Sequence, residues 1–352
     1  MKGTTISNVR LAGLATAVPP LRVLEWAESG IPASHFEHSR RFGCKPTIRA
    51  AKWEQCQSDF CQRSAEDLMA KLGWAPADVD VIVLVTLTPD YPIPATAIIL
   101  QDRLKIKKGS VAFDLPGGEA AFLHGLQLVA SMLSAGHLKR GLLLSGGISK
   151  VAEAPDSIEA LDFICGHNGS VCALEYSPEA APMHFCSGGD GSAHESYYMP
   201  IGGTRRPPQP EMFLQGDASS AGAEATHFHL DMGAVEAAAV RELPPIMRGA
   251  LEKAGRKIED VDHCFLQPIS LATDEAVRKS IGASIDRFHS LTREYGGGSS
   301  GSIVMAMLAR AARTLSTGPC TSLLAGLGAG LSWSSAVLST DKVTCLDPIE
   351  VE

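Results

Sequence analysis

The sequence predicts an α/β protein made of two similar halves, and three observations carry that prediction. Runs with strand character and runs with helical periodicity alternate along most of the 352 residues. The same order of elements occurs twice, with corresponding elements roughly 180 residues apart. A balance of 45% hydrophobic and 20% charged residues suits a sizeable buried core, in two domains or one large repeated unit.

In the first half, SAEDLMAKLGW (64–74) reads as a helix and VDVIVLVTLT (79–88) as the β-rich strand that follows it. VAFDL (111–115) is a second, shorter strand. In LPGGEAAFLHGLQLVASMLSAGH, the residues Phe122, Leu126, Val129 and Leu133 recur at the spacing of one helix face, and Gly136 suits the C-terminal stop. RGLLLSGG (140–147) is another buried strand.

The second half repeats this order. DHCFLQPI (262–269) is a strand, SLATDEAVRKSIG a helix ending at Gly282, and FHSL (288–291) a short strand. The turn YGGGSSGS leads into the helix IVMAMLARAARTL, and TSLLAGLGAG (321–330) is the closing strand. Between the halves lies a stretch rich in Gly, Ser, Pro and Asp, read as a loop-and-turn excursion. Two readings of it stand: a plain surface excursion, or a segment beside a ligand entrance. The chain therefore divides into an N-terminal half (1–183), a loop-rich insertion (184–225) and a C-terminal half (226–352).

Several function classes are disfavoured. The net charge is -8 and no long basic run exists, which argues against a nucleic-acid partner; Arg40-Arg41 and Arg205-Arg206 read as solvated surface pairs. No stretch approaches the roughly 18 consecutive apolar residues of a membrane span, and the start, MKGTTISNVRLAGLATAV, does not read as a signal peptide. The nine cysteines are odd in number, scattered and without a CxxC pair, which fits free thiols in a reduced, cytoplasmic setting. His227 and His229 fall on one side of a strand but lack further ligands at metal spacing, and His35 with His38 is no stronger, so no metal site is expected. GGGSSGS (296–302) lacks the Lys of a P-loop and reads as a turn and helix cap, and no Ser sits in GxSxG.

Five segments in order resemble the β-ketoacyl-ACP synthase III group of condensing enzymes: TLTPDYPIPATA (86–97), VAFDLPGGEAAFLHGL (111–126), FLQPISLATDEAVRKSIG (265–282), REYGGGSSGSIVMAM (293–307) and GLGAGLSWSSAVL (326–338). The resemblance implies a thiolase-like, five-layer αβαβα fold from two duplicated halves, and a dimer. It implies acyl thioesters of coenzyme A or acyl carrier protein as ligands. In that family a cysteine is acylated, and the acyl group is condensed with a malonyl thioester with help from a histidine and an asparagine.

All three catalytic positions differ here. The cysteine position is Glu119, the histidine position Gln267 and the asparagine position Gly297. A thiol at a helix N-terminus is favoured as thiolate. A carboxylate there is a poor nucleophile toward a thioester, so a stable acyl-enzyme is not expected. Gln267 can donate a hydrogen bond but cannot carry a proton near neutral pH, and Gly297 offers no side chain. Ala272 stands where the family often has a carrier-binding arginine, and His167 where it has an aspartate. The glycine loop 326–330 survives, so that the backbone N–H groups of Glu119 and Ala329 are the candidate oxyanion donors; the alternative is that its glycines serve only packing. Two functions follow. One is a non-condensing subunit paired with an active homologue. The other is an acyltransferase or thioester hydrolase in which Glu119 supplies altered chemistry and Gln267 orients the substrate. Fatty-acid- or polyketide-type metabolism is the setting the resemblance implies.

Overall fold

The computed structural model describes residues 3–23, 47–48, 51–148, 166–207, 229–295 and 299–352. Two mixed sheets organise them. The N-terminal sheet contains β2 (Val9–Val18), β5 (Val81–Thr86), β6 (Val111–Pro116), β7 (Arg140–Gly147), β8 (Asn168–Tyr176), β16 (Thr344–Cys345) and β17 (Ile349–Glu350), in the order β16-β2-β8-β7-β5-β6 with β17 also on β2. The C-terminal sheet contains β1 (Gly3–Ile6), β9 (Met183–Gly189), β12 (His263–Leu266), β13 (Phe288–His289), β14 (Pro319–Gly328) and β15 (Ser332–Asp341), in the order β1-β9-β15-β14-β12-β13. Two small pairs lie apart: β3 (Arg22–Val23) with β4 (Thr47–Ile48), and β10 (Tyr197–Tyr198) with β11 (His229–Leu230).

The two sheets are built alike. In each, a central strand is flanked on both sides by parallel partners: β5 by β6 and β7, and β12 by β13 and β14. In each, the next two pairings are antiparallel: β7-β8-β2, and β14-β15-β9. This is the duplication that the repeated element order predicted. The strand edges are exchanged between halves, however: β1 and β9 complete the C-terminal sheet, and β16 and β17 the N-terminal one.

Among the described residues, the α-helices longer than the short turn Thr292–Tyr295 are α1 (Gln57–Leu72), α2 (Thr96–Arg103), α3 (Ala121–Ser134), α4 (Met232–Lys253), α5 (Leu271–Ile281) and α6 (Ser302–Thr317). α3 and α6 lie between the sheets, and one buried cluster joins them to both: Phe122, Leu126 and Val129 with Val83 and Leu143 on one side, Val304 and Leu308 with Phe265 and Leu324 on the other. A helix covered on both faces needs apolar residues most of the way round, and VMAMLA and FLHGLQLVA supply them. α1 and α2 cover the outer face of the N-terminal sheet, and α4 and α5 that of the C-terminal sheet. The result is the five-layer αβαβα arrangement. The inner parallel strands, such as VIVLVT in β5, are buried along their whole length, as a sheet covered on both faces requires. The stretch from residue 184, read as loop-rich, opens on β9 before it leaves the sheet; residues 208–228, including His227, lie outside the described residues, as do His35, His38 and Arg40-Arg41.

Candidate functional site

The site forms where the parallel strands end. Glu119 lies in the turn after β6, immediately ahead of α3, and Gln267 directly follows β12. The loop that leaves β14 at Gly328 closes over both. Gly326 and Gly328 stand two apart on that strand, so their missing side chains share a face. A Cβ on Gly326 would lie 2.6 Å from Gln267 Oε1, and one on Gly328 would lie 2.7 Å from the Glu119 nitrogen and 3.0 Å from Glu119 Oε2. The glycine loop is therefore fitted against both side chains. The backbone nitrogen of Ala329 comes within 3.0 Å of the Cβ position of Gly118, so the two predicted oxyanion donors, at Glu119 and Ala329, border the same turn. Gly297 lies outside the described residues.

The polar atoms at the centre are unusual. Gln267 is 1% exposed, and neither Oε1 nor Nε2 has a hydrogen-bond partner among the described residues. Its position is set through the backbone, where its N–H donates to Ala325 O at 2.9 Å. Glu119 Oε1 accepts a hydrogen bond from Tyr197 Oη at 2.5 Å, whereas Oε2 is buried without a partner among the described residues. Burial pushes the Glu119 carboxyl up to about 7, against the Tyr197 hydrogen bond and its own backbone N–H, which both favour the charged form. Buried unpaired polar atoms cost stability, and three of them lie beside this one loop.

The surroundings hold these groups in place. Ser270 caps α5 by accepting from the Thr273 N–H, which fixes the short connection from Gln267 to the helix. One turn on, Asp274 Oδ2 accepts from Ser290 Oγ at 2.6 Å and Thr292 Oγ1 at 2.5 Å, tying α5 to the segment before residue 296. Burial pushes the Asp274 carboxyl up to about 6, offset in part by those hydroxyls. In the GGGSSGS turn, Ser300 Oγ donates to Gly146 O at 2.8 Å, and Asn168 Nδ2 donates to Ser299 Oγ at 2.5 Å. These serines join α6 to β7 and β8, a structural use of the motif. His167 is buried, and its Nδ1 accepts from the Ala51 N–H at 2.8 Å. Ala272 is exposed on α5 and presents no cation there. His229 is exposed and lies edge-on to Tyr198, and no three His, Cys, Asp or Glu residues among those described could hold a metal.

Of the predicted residues, the fold brings Glu119, Gln267 and the Ala329 loop together. Sequence reasoning missed Tyr197, which meets Glu119 from 78 positions away. The only trace of it was a tyrosine pair in the polar excursion. It also passed over His124, one turn into α3, whose ring is held at the Trp333 backbone; burial lowers its pKa.

Residues 251–340 match the family model for the C-terminal part of 3-oxoacyl-[acyl-carrier-protein] synthase III. The β-ketoacyl-[acyl-carrier-protein] synthase III of Symbiobacterium thermophilum is 27% identical over 337 residues, covering 95% of this chain and 98% of that one. That of Roseiflexus castenholzii is 28% identical over 272 residues, covering 77% of this chain and 79% of that one. Among solved structures, a 3-oxoacyl-(acyl-carrier protein) synthase from Burkholderia xenovorans superposes with a TM-score of 0.88 at 25% identity over 99% of both chains. The chain is similar to the β-ketoacyl-ACP synthase III enzymes over nearly its whole length. Its thiolase-like fold is that of this condensing-enzyme family, and the synthase III-like site just described carries a carboxylate at the head of α3. The seven described cysteines of the synthase III-like chain lie on other elements. Burial pushes the thiols of Cys61, Cys172 and Cys264 far above their usual range. No described helix is long and apolar enough to cross a membrane.

Proposed function

We propose that this synthase III-like protein is a non-condensing member of an acyl-thioester pathway of fatty-acid or polyketide type, working as the partner subunit of an active homologue. One observation carries the reading: the side chain at the head of α3 is Glu119, opposite Gln267, so these two positions hold neither an acyl-accepting thiol nor an imidazole. The ligand is an acyl chain on coenzyme A or acyl carrier protein, held near Gln267 and the glycine loop. β6 supports assembly with another chain, because it forms a sheet edge and pairs only with β5 among the described residues. An open, partly apolar strand edge is a template for pairing with a second chain. Co-expression with a cysteine-bearing homologue, followed by native mass spectrometry, is expected to give a heterodimer; a homodimer alone, whichever homologue is supplied, contradicts the reading.

The partnerless Glu119 Oε2 favours a second reading, in which the pocket itself performs hydrolysis or acyl transfer. As carboxylate, Oε2 accepts a proton from water, or from an acceptor hydroxyl, as that oxygen bonds to the thioester carbonyl carbon. The C–S bond then breaks, and the proton passes to the departing sulfur, leaving an acid or ester and a free thiol. A group titrating near 7 suits both proton steps. Backbone N–H groups at Glu119 and Ala329 would face the developing oxyanion. Glu119→Gln should abolish thiol release from octanoyl-coenzyme A with the fold intact; unchanged release removes this reading.

A further inference from the structure

We infer that Tyr197 is a positioning residue for Glu119: it occupies Oε1, fixes the plane of the carboxyl and leaves Oε2 alone to meet a ligand. The inference rests on reading Glu119 as the proton-carrying group of the pocket.

Tyr197 comes from the excursion between the halves, not from either repeated half, and its setting is rigid. On β10 it pairs with Leu230 of β11. Just beyond, the Asp231 N–H donates to Ser196 O at 2.8 Å, and the Asp231 side chain caps α4 by accepting from the Ala234 N–H at 3.0 Å. The excursion begins under similar control, since the Asp190 N–H donates to Leu331 O at 2.8 Å, next to the glycine loop. The Tyr197 ring also packs against the apolar cluster of α4 and β15. The excursion is thus pinned at the start to the loop lining the pocket and near Tyr197 to a capped helix. The phenol is aimed at Glu119 before any ligand arrives, and such preorganisation is what an acid–base group needs to present one oxygen in one direction. Neighbouring Tyr198 projects from the opposite face of the strand, where it meets His194 and His229 edge-on.

A merely structural tyrosine and a positioning one differ in what their removal changes. Loss of a structural contact lowers stability by a similar amount at every pH. Loss of a hydrogen bond to the carboxylate also moves the midpoint at which Glu119 titrates. The midpoint is read from urea denaturation between pH 4 and 9, as the pH dependence of the stability difference between the chain and its Glu119→Gln variant. The same pair is then compared with Tyr197→Phe present in both. The infrared C=O band of protonated Glu119, isolated by difference against Glu119→Gln, is a second readout. Tyr197→Phe is expected to raise the midpoint by about one pH unit and to move the C=O band to higher frequency, while Tyr198→Phe moves neither. An unchanged midpoint and band in Tyr197→Phe overturns the inference and leaves the reading of Glu119 standing. If the parent chain itself shows no midpoint between pH 5 and 9, both fall.

Discussion

Gly328 lies so close to Glu119 that a Cβ on it would sit 2.7 Å from the Glu119 backbone nitrogen and 3.0 Å from that of Ala120. Both obstacles are backbone, so neither can swing aside. At Gly326 the first obstacle, at 2.6 Å, is the end of the Gln267 side chain. Gly328→Ala is therefore expected to destabilise the protein by about 1–3 kcal/mol, the usual range for overpacking, and Gly326→Ala by less. Chemical denaturation of both variants checks the order; a larger loss at Gly326 would contradict it.

Glu119 gives the fold an unusual pH dependence. Its folded value, about 7, lies above its ordinary value of 4.5. Between those values the folded chain holds a proton that the unfolded chain has released. Stability from this group therefore falls as pH rises from 4.5 to 7 and is level above. Glu119→Gln keeps an acceptor for Tyr197 and removes the fall. At pH 8 the variant should be the more stable by up to about 3 kcal/mol, and near pH 4 the two should match. Urea denaturation at those pH values decides it, and equal stability at pH 8 would refute the assignment.

Asp274 should show the same sign in a lower window, because burial raises it from 3.8 to about 6. Stability from this group falls as pH rises from 3.8 to 6. Asp274→Asn still offers an oxygen to the Ser290 and Thr292 hydroxyls. Its advantage over the parent should develop between pH 4 and 6 and stay constant above. A difference that instead develops above pH 6 would place the titration elsewhere.

The repeated halves were legible because burial imposes periodicity. A strand covered on both faces reads as VIVLVT, and a helix between two sheets reads as a wide apolar stripe. The placement of residues 119 and 267 was legible for a related reason: each follows a strand and precedes a helix. The exchange of β1, β9, β16 and β17 between sheets was not, because short edge strands carry no mark of their partner. Tyr197 was hidden as well. Its contact depends on how an irregular segment folds back across the site, and no local spacing encodes that.

The open edge of β6 carries a further expectation. Val111 is 39% exposed, and Phe113 and Leu115 are partly buried on the same strand. If assembly uses this edge, Val111→Lys with Leu115→Lys should shift the protein toward monomer in analytical ultracentrifugation while circular dichroism stays native. An unchanged sedimentation coefficient would move the interface elsewhere.

The central claim is that the pocket at the head of α3 holds an acyl thioester without taking its acyl group onto the chain. Intact-mass spectrometry after incubation with octanoyl-coenzyme A tests it most directly. The expected spectrum shows the unmodified chain mass. A chain heavier by one octanoyl group, with the modification mapped to the pocket, would contradict the account.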